Sequence, residues 1–203
     1  MKKKTVTQST DKKIYNSLDR WLNAASSEDW QAGKQWYKEA QAFCKYLASE
    51  FDIDSYTCAA VVSALSPNNK WQRNKIDAFN VIKAFTQGKT AKTVSCCTYN
   101  ANKEKAFAIL KGSIELSAKS PKTHSFAMNC GLLSSDHITI DKWHIRACLV
   151  RPCDGVTDTV ESVTVAQYRR IEAITAKLAK RYRLKGYQLQ AIIWVSIKES
   201  WNR

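Results

Sequence analysis

LSAKSPKTHSFAMNCGLLSSDHITIDKWHIR, the stretch from Leu116 to Arg146, holds the two residues around which the rest of the chain is read. Lys122 and Asp141 each stand where a helix should begin. Ser120-Pro121 ahead of Lys122 is a start signal, with Ser as the cap and Pro at the first helical position, where no amide donor is needed. Asp141 follows the short apolar Ile138-Thr139-Ile140 and precedes Trp143, Ile145, Ala147 and Leu149, so it reads as the cap of the next helix. A helix start carries partial positive charge, which favours a carboxylate and disfavours an ammonium. A neutral amine is a nucleophile, so the stretch offers one amine and one carboxylate at the starts of two helices.

The order of residues here resembles the core of the helix-hairpin-helix DNA glycosylases, the superfamily of endonuclease III and 8-oxoguanine glycosylase. The family pattern is a hairpin of the form L-P-G-V-G-x-K-T, a helix, and then a hydrophobic-Asp segment that opens another helix. This chain has Leu116-Ser117-Ala118-Lys119-Ser120-Pro121-Lys122-Thr123 and then Ile140-Asp141-Lys142-Trp143-His144-Ile145-Arg146. Lys, Thr, Asp and the trailing Arg match, while Ala118 and Ser120 stand where the family carries Gly. Two further segments follow the family in order. Leu65-Ser66-Pro67-Asn68, with Asn74 after it, is similar to the segment at the break before a family helix. Thr98-Tyr99-Asn100-Ala101-Asn102-Lys103-Glu104-Lys105-Ala106 is similar to a later G-x-Y-N-x-x-K-A segment. The likeness covers about Cys58 to Leu149.

The resemblance implies an all-α, two-lobed fold with the active site in the interlobe cleft. It assigns residues 58–149 to the hairpin lobe, and 11–57 with 150–203 to a second helical lobe. It further implies a DNA N-glycosylase, bifunctional with AP-lyase activity. Lys122 would attack the sugar C1′ and form a Schiff base. Asp141 would stabilise the developing sugar cation, since a fixed negative charge beside an oxocarbenium lowers the barrier. Lys111, Lys119, Ser120 and Thr123 around the hairpin would contact phosphate. Asn68, Asn69 and Lys70 would lie at the mouth of the cleft, where an Asn can fill the gap left by an extruded base. Trp71 and Trp143 are candidates for the base pocket or for stacking, and Trp71 reads equally well as a core residue. His124, His137 and His144 receive no role.

Composition is compatible with this. The formal net charge is +14, from 32 Lys+Arg against 18 Asp+Glu, and nucleic acid is the first partner to consider for such a balance. At 44% hydrophobic residues with 7 Trp the chain can build a core, and only 6 Gly and 3 Pro punctuate it, which suits helices joined by short loops. The expected partner is duplex DNA with a flipped nucleotide, bound by a monomer. The 7 Cys are odd in number and irregularly spaced, and read as reduced packing thiols of a cytoplasmic protein. Some glycosylases of the family hold an iron–sulfur cluster on four closely spaced cysteines near the C-terminus; that array is absent, so no cofactor and no metal are expected. No apolar run is long enough to span a membrane.

Two other readings compete. A nucleotide or nucleoside N-glycosidase acting on a small substrate would keep Asp141 and need not use Lys122. A non-catalytic basic module binding DNA or a partner protein would use Asp141 as a cap alone. Salt separates the first rival from a duplex enzyme, because affinity for duplex falls steeply as counterion release becomes less favourable.

Helical spacing places elements over Lys12–Asn23, from Ser26 to Phe51, to Leu65 after a cap at Asp54 or Ser55, and over about Gln72–Phe85 with Ile76, Phe79, Ile82 or Val81, and Phe85 inward and Gln87-Gly88 as its end. Others follow from Asn100 to Gly112, from Pro121, from Asp141, from Val165 and from about Tyr187. Residues 1–10 are polar and read as a frayed end, and Arg151–Gly155 as a loop.

Overall fold

The computed structural model describes residues 5–133, 137–152 and 162–201, with Trp201 described in its backbone only. Among the described residues the chain is all-helical. Its helices are α1 (Asp11–Ala24), α2 (Ser27–Phe51), α3 (Ser55–Leu65), α4 (Trp71–Thr86), α5 (Asn100–Leu110), α6 (Pro121–Leu132), α7 (Lys142–Leu149), α8 (Val165–Arg181) and α9 (Gly186–Trp201), with a 3-10 turn at Ala91–Thr93. From 153 onward the expected Arg151–Gly155 loop lies outside the described residues.

Local chemistry explains most of the boundaries. Ser26 and Asp29 start α2 reciprocally: the Asp29 carboxylate accepts from the Ser26 amide at 3.0 Å and the Ser26 hydroxyl accepts from the Asp29 amide at 3.2 Å. Asp54 caps α3 by accepting from the amides of Tyr56 and Thr57, both at 2.9 Å. Gly88 and Gly112 end α4 and α5 with left-handed φ of 71° and 68°, which costs little without a Cβ.

The chain divides into two compact units, residues 1–37 with 135–203, and residues 38–134. The division differs from lobes bounded at 58 and 149. Residues 38–57 join the unit that contains α3 to α6, and Asp141 with α7 joins the unit made from the two ends of the chain. The reason lies in packing: α7 lies against α1 and α9, whereas α3 is the element that α4, α5 and α6 gather on.

In the terminal unit, Ile14, Leu18 and Leu22 of α1 share a core with Ile145 and Leu149 of α7, Ile171 and Leu178 of α8, and Leu189 and Ile192 of α9. Residues 5–10 are not a frayed end. Val6 is buried, and the Arg170 guanidinium donates to the carbonyls of Val6 and Ser9 at 3.0 and 2.6 Å while pairing with Asp11. In the central unit, α3 buries every residue from Cys58 to Leu65. Its small side chains let the surrounding helices approach. The inward face of α4 includes the expected Val81 and Ile82 but not Ile76. Asn74, Asp77, Ala78, Val81 and Ile82 are buried, and Ile76 is 51% exposed. Asp77 takes the place on that face which hydrophobicity alone would give to Ile76.

The described cysteines are free thiols. Burial pushes the Cys44 and Cys58 thiols up to about 12 and raises those of Cys130 and Cys148 as well, so these four are packing groups and poor nucleophiles. No helix among the described residues is long and apolar enough to cross a membrane.

Helix α2 crosses α9 at Gly33. A Cβ there would stand 2.5 Å from the backbone nitrogen of Ile192. Gly33→Ala is therefore expected to lower the unfolding free energy by about 3 kcal/mol, an overpacking cost that backbone contact makes hard to relieve. Urea denaturation measures it; a midpoint within error of the parent contradicts the packing described.

Candidate functional site

Asp141 is built into the terminal unit from four directions. The residues ahead of it are gripped by α8: the Tyr168 hydroxyl donates to the Ile138 carbonyl at 2.7 Å and accepts from the Ile140 amide at 3.1 Å. The far end of α7 is held by α1, where Ser17 donates to the Ala147 carbonyl at 2.7 Å and Trp21 Nε1 donates to the Val150 carbonyl at 2.6 Å. Those carbonyls lie in the last turn and just past it, where the helix supplies fewer donors of its own. Between these anchors, the carboxylate caps α7. Asp141 Oδ1 accepts from the His144 amide at 2.9 Å, as the sequence leads one to expect, and Oδ2 accepts from Trp194 Nε1 of α9 at 3.1 Å. Both oxygens are thus held by N–H donors, an arrangement suited to an ionised group.

His144 explains why it has no chemical role. It is fully buried, and burial pushes its pKa down to about 3. Thr175 donates its one hydroxyl proton to the Ile171 carbonyl at 2.8 Å, so at the 3.0 Å contact it must accept from His144 Nε2. The ring is neutral and structural. Trp143 packs against the core, with the Arg146 guanidinium 4.7 Å and the Lys142 ammonium 5.8 Å from its ring centre. One ring face is already taken up by the chain's own cation.

Lys122 and the hairpin residues belong to the central unit. Lys122 is half-buried at the second position of α6, behind Pro121 at the first. Its neighbour Thr123 is fixed twice: the carbonyl accepts from the Ser63 hydroxyl of α3 at 2.7 Å, and the side chain donates to the Ser120 carbonyl at 3.1 Å. Ser120 occupies the cap position, but its hydroxyl makes no capping bond, so the expected side-chain cap does not form; its carbonyl takes the His124 amide in the ordinary first bond of the helix. Ser117 and Ser120 close the turn at 2.9 Å, and no residue from 117 to 120 has a positive φ. That backbone does not call for glycine, which accounts for Ala118 and Ser120 there. Lys111 and Lys119 are exposed.

The other two segments singled out from the sequence meet in this same unit. Asn68, with a left-handed φ of 56°, donates to the Tyr99 hydroxyl at 2.9 Å, and Thr98 donates to the Pro67 carbonyl at 3.1 Å. Beneath them the buried Asp77 carboxylate accepts from Asn69 Nδ2 at 2.9 Å, the Cys97 amide at 2.9 Å and Arg73 Nε at 3.0 Å. Asp77 thus holds the break after α3 against the loop before α5. Lys70 is exposed beside them. Trp71 is half-buried, edge-on to Phe43 and Phe126 at 6.2 and 6.5 Å, with the Lys75 ammonium 5.8 Å from its ring. Its place among these rings fits the core reading of this residue.

A family model matches residues 1–201. The chain belongs to the DUF7178 family, a family of unknown function. No curated protein and no solved structure matches it. The geometry therefore has to speak for itself, and two of its residues were not legible beforehand. Trp194 reads in the sequence only as an inward position of the last helix, and Asp77 as an ordinary polar residue. An arginine four residues before Asp77 is its one local signal. Among the described residues no group of three or more His, Cys, Asp or Glu is placed to hold a metal ion.

Because His144 is depressed from 6.5 to about 3, its contribution to stability is complete above pH 6.5 and is lost as pH falls from there towards 3. Between pH 7.5 and 5 this one group should remove about 2 kcal/mol of unfolding free energy. Urea titrations of the parent and of His144→Gln at both pH values check this: the variant should show a pH dependence smaller by that amount, and equal dependences would contradict the assignment.

Proposed function

We propose that the chain is a DNA N-glycosylase with AP-lyase activity, built on a two-lobed helical fold of the helix-hairpin-helix glycosylase type. The observation that carries the reading is the carboxylate of Asp141, fixed at a helix start by N–H donors to each oxygen. A group held in this way is preorganised to face a positive charge that appears only in the transition state. A sugar losing its base develops that charge at C1′ and the ring oxygen.

Three further features support the reading. The formal charge of +14 suits a polyanion. The segments around Asn68 and Tyr99, similar to family segments, are tied to one another by side-chain bonds. Lys122 sits in the first turn of α6 directly after Pro121, in the order the family pattern has.

In the proposed reaction the Lys122 amine, in its neutral form, attacks C1′ as the C1′–N bond breaks. The base leaves with the bonding pair and takes up a proton, Asp141 stabilises the cationic sugar, and the amine's extra proton passes to water. Opening of the sugar ring gives an imine between Lys122 and C1′. Loss of a proton from C2′ then expels the 3′ phosphate by β-elimination. The substrate nucleotide must leave the stack, because C1′ chemistry is hindered within a duplex. This chemistry requires no cofactor.

The test is a panel of duplex oligonucleotides, each with one damaged or modified base or an abasic site, incubated with and without borohydride. Reduction of the imine should trap a covalent protein–DNA complex on at least one substrate. Lys122→Ala should reduce trapping at least about 100-fold while changing DNA affinity by less than about threefold, as expected for loss of a nucleophile. Undiminished trapping in Lys122→Ala would remove that residue from the mechanism, and no base release or trapping across the panel would overturn the function.

A further inference from the structure

Asp141 has two oxygens, and only one of them is needed to cap α7. The second accepts from Trp194 Nε1, an indole that can donate but cannot accept. Trp194 is itself held. Its ring meets the edge of Trp36 at 5.6 Å, and the Lys198 ammonium lies 4.2 Å from its ring centre. Residues 194 and 198 are one turn apart on α9 and share a face. A cation this close over an indole draws electron density from the ring and makes its N–H a stronger donor. The N–H points at the carboxylate.

We propose that Trp194 is the positioning residue for Asp141, and that Lys198 over its ring strengthens that hold. The proposal rests on the reading that Asp141 carries the chemistry, and it adds two residues to it. With Oδ1 committed to the His144 amide and Oδ2 to the indole, rotation of the carboxylate in either direction breaks a bond, and protonation weakens both acceptors by removing the charge. Neither Trp194 nor Lys198 needs to touch the substrate. They act through Asp141, on its orientation and its charge.

Trp194→Phe keeps an aromatic ring against Trp36 and beneath Lys198 and removes only the N–H. The carboxyl titration of Asp141, followed by carbon NMR on aspartate-labelled protein, is expected to move upward by about half a unit to one unit in this variant. Lys198→Met should move it in the same direction by less, and this variant carries the test should Trp194→Phe fail to fold. On any DNA substrate the parent processes, Trp194→Phe should lower kcat about tenfold with KM little changed, and the acid limb of its pH profile should shift with the carboxyl titration. An unchanged Asp141 titration in a folded Trp194→Phe overturns the role of Trp194. A shift in Trp194→Phe with none in Lys198→Met overturns the role of Lys198 alone. A shifted titration in a protein that acts on no DNA substrate upholds the positioning and sinks the glycosylase reading, so the two failures are distinct.

Discussion

One carboxylate group ties the terminal unit together. Asp141 closes the first turn of α7 through the His144 amide and reaches α9 through the Trp194 indole. The eight-residue helix it starts is too short to be stable alone and depends on its neighbours. Those neighbours come from both ends of the chain. Ser17 and Trp21 of α1 take its terminal carbonyls, Tyr168 of α8 takes the backbone that precedes it, and Thr175 of α8 takes the His144 ring. Three helices thus converge on a short fourth, and the result is a single acidic side chain whose position is determined by bonds at every step. That is the kind of construction electrostatic stabilisation requires, since the donors are in place before any charge develops.

The central unit follows a comparable plan around a different carboxylate. Asp77 lies on the buried face of α4 and satisfies Asn69, Arg73 and the Cys97 amide together. A buried acid of this kind is costly unless it is fully bonded, and these three donors offset that cost. Its effect is local order: it fixes the polar break that holds Asn68, Asn69 and Lys70 beside the loop that leads to Tyr99. The hairpin before α6 is fixed separately, through Ser63 and Thr123. The exposed basic residues Lys70 and Lys119 therefore stand on backbone that is held from beneath.

Much of this architecture was legible in the sequence wherever the cause is local. Asp54 and Asp141 read as caps because a short acceptor at a helix start meets amides two or three residues on. Gly88 and Gly112 read as stops because only glycine enters the left-handed region without cost. The readings that failed all depend on partners distant in the chain. Ile76 lost its inward place to Asp77, whose burial rests on a loop twenty residues later. Residues 5–10 are ordered by Arg170, which nothing near the N-terminus announces. Trp194 has the spacing of any core residue, and only the fold reveals that its nitrogen meets Asp141. The unit boundaries at 37 and 135 have the same origin, since no segment announces which helices from the chain ends will cover it.

The proposed chemistry depends on Asp141 as a charge that acts in the transition state. Asp141→Asn keeps the shape, and a carbonyl able to cap the helix, but removes the charge and turns an N–H donor towards the Trp194 indole in place of an acceptor. Single-turnover release of the base should slow by about 100-fold or more in this variant, while the affinity for the same DNA changes by less than about threefold. Base release at the parent rate would contradict the account and leave Asp141 as a helix cap alone.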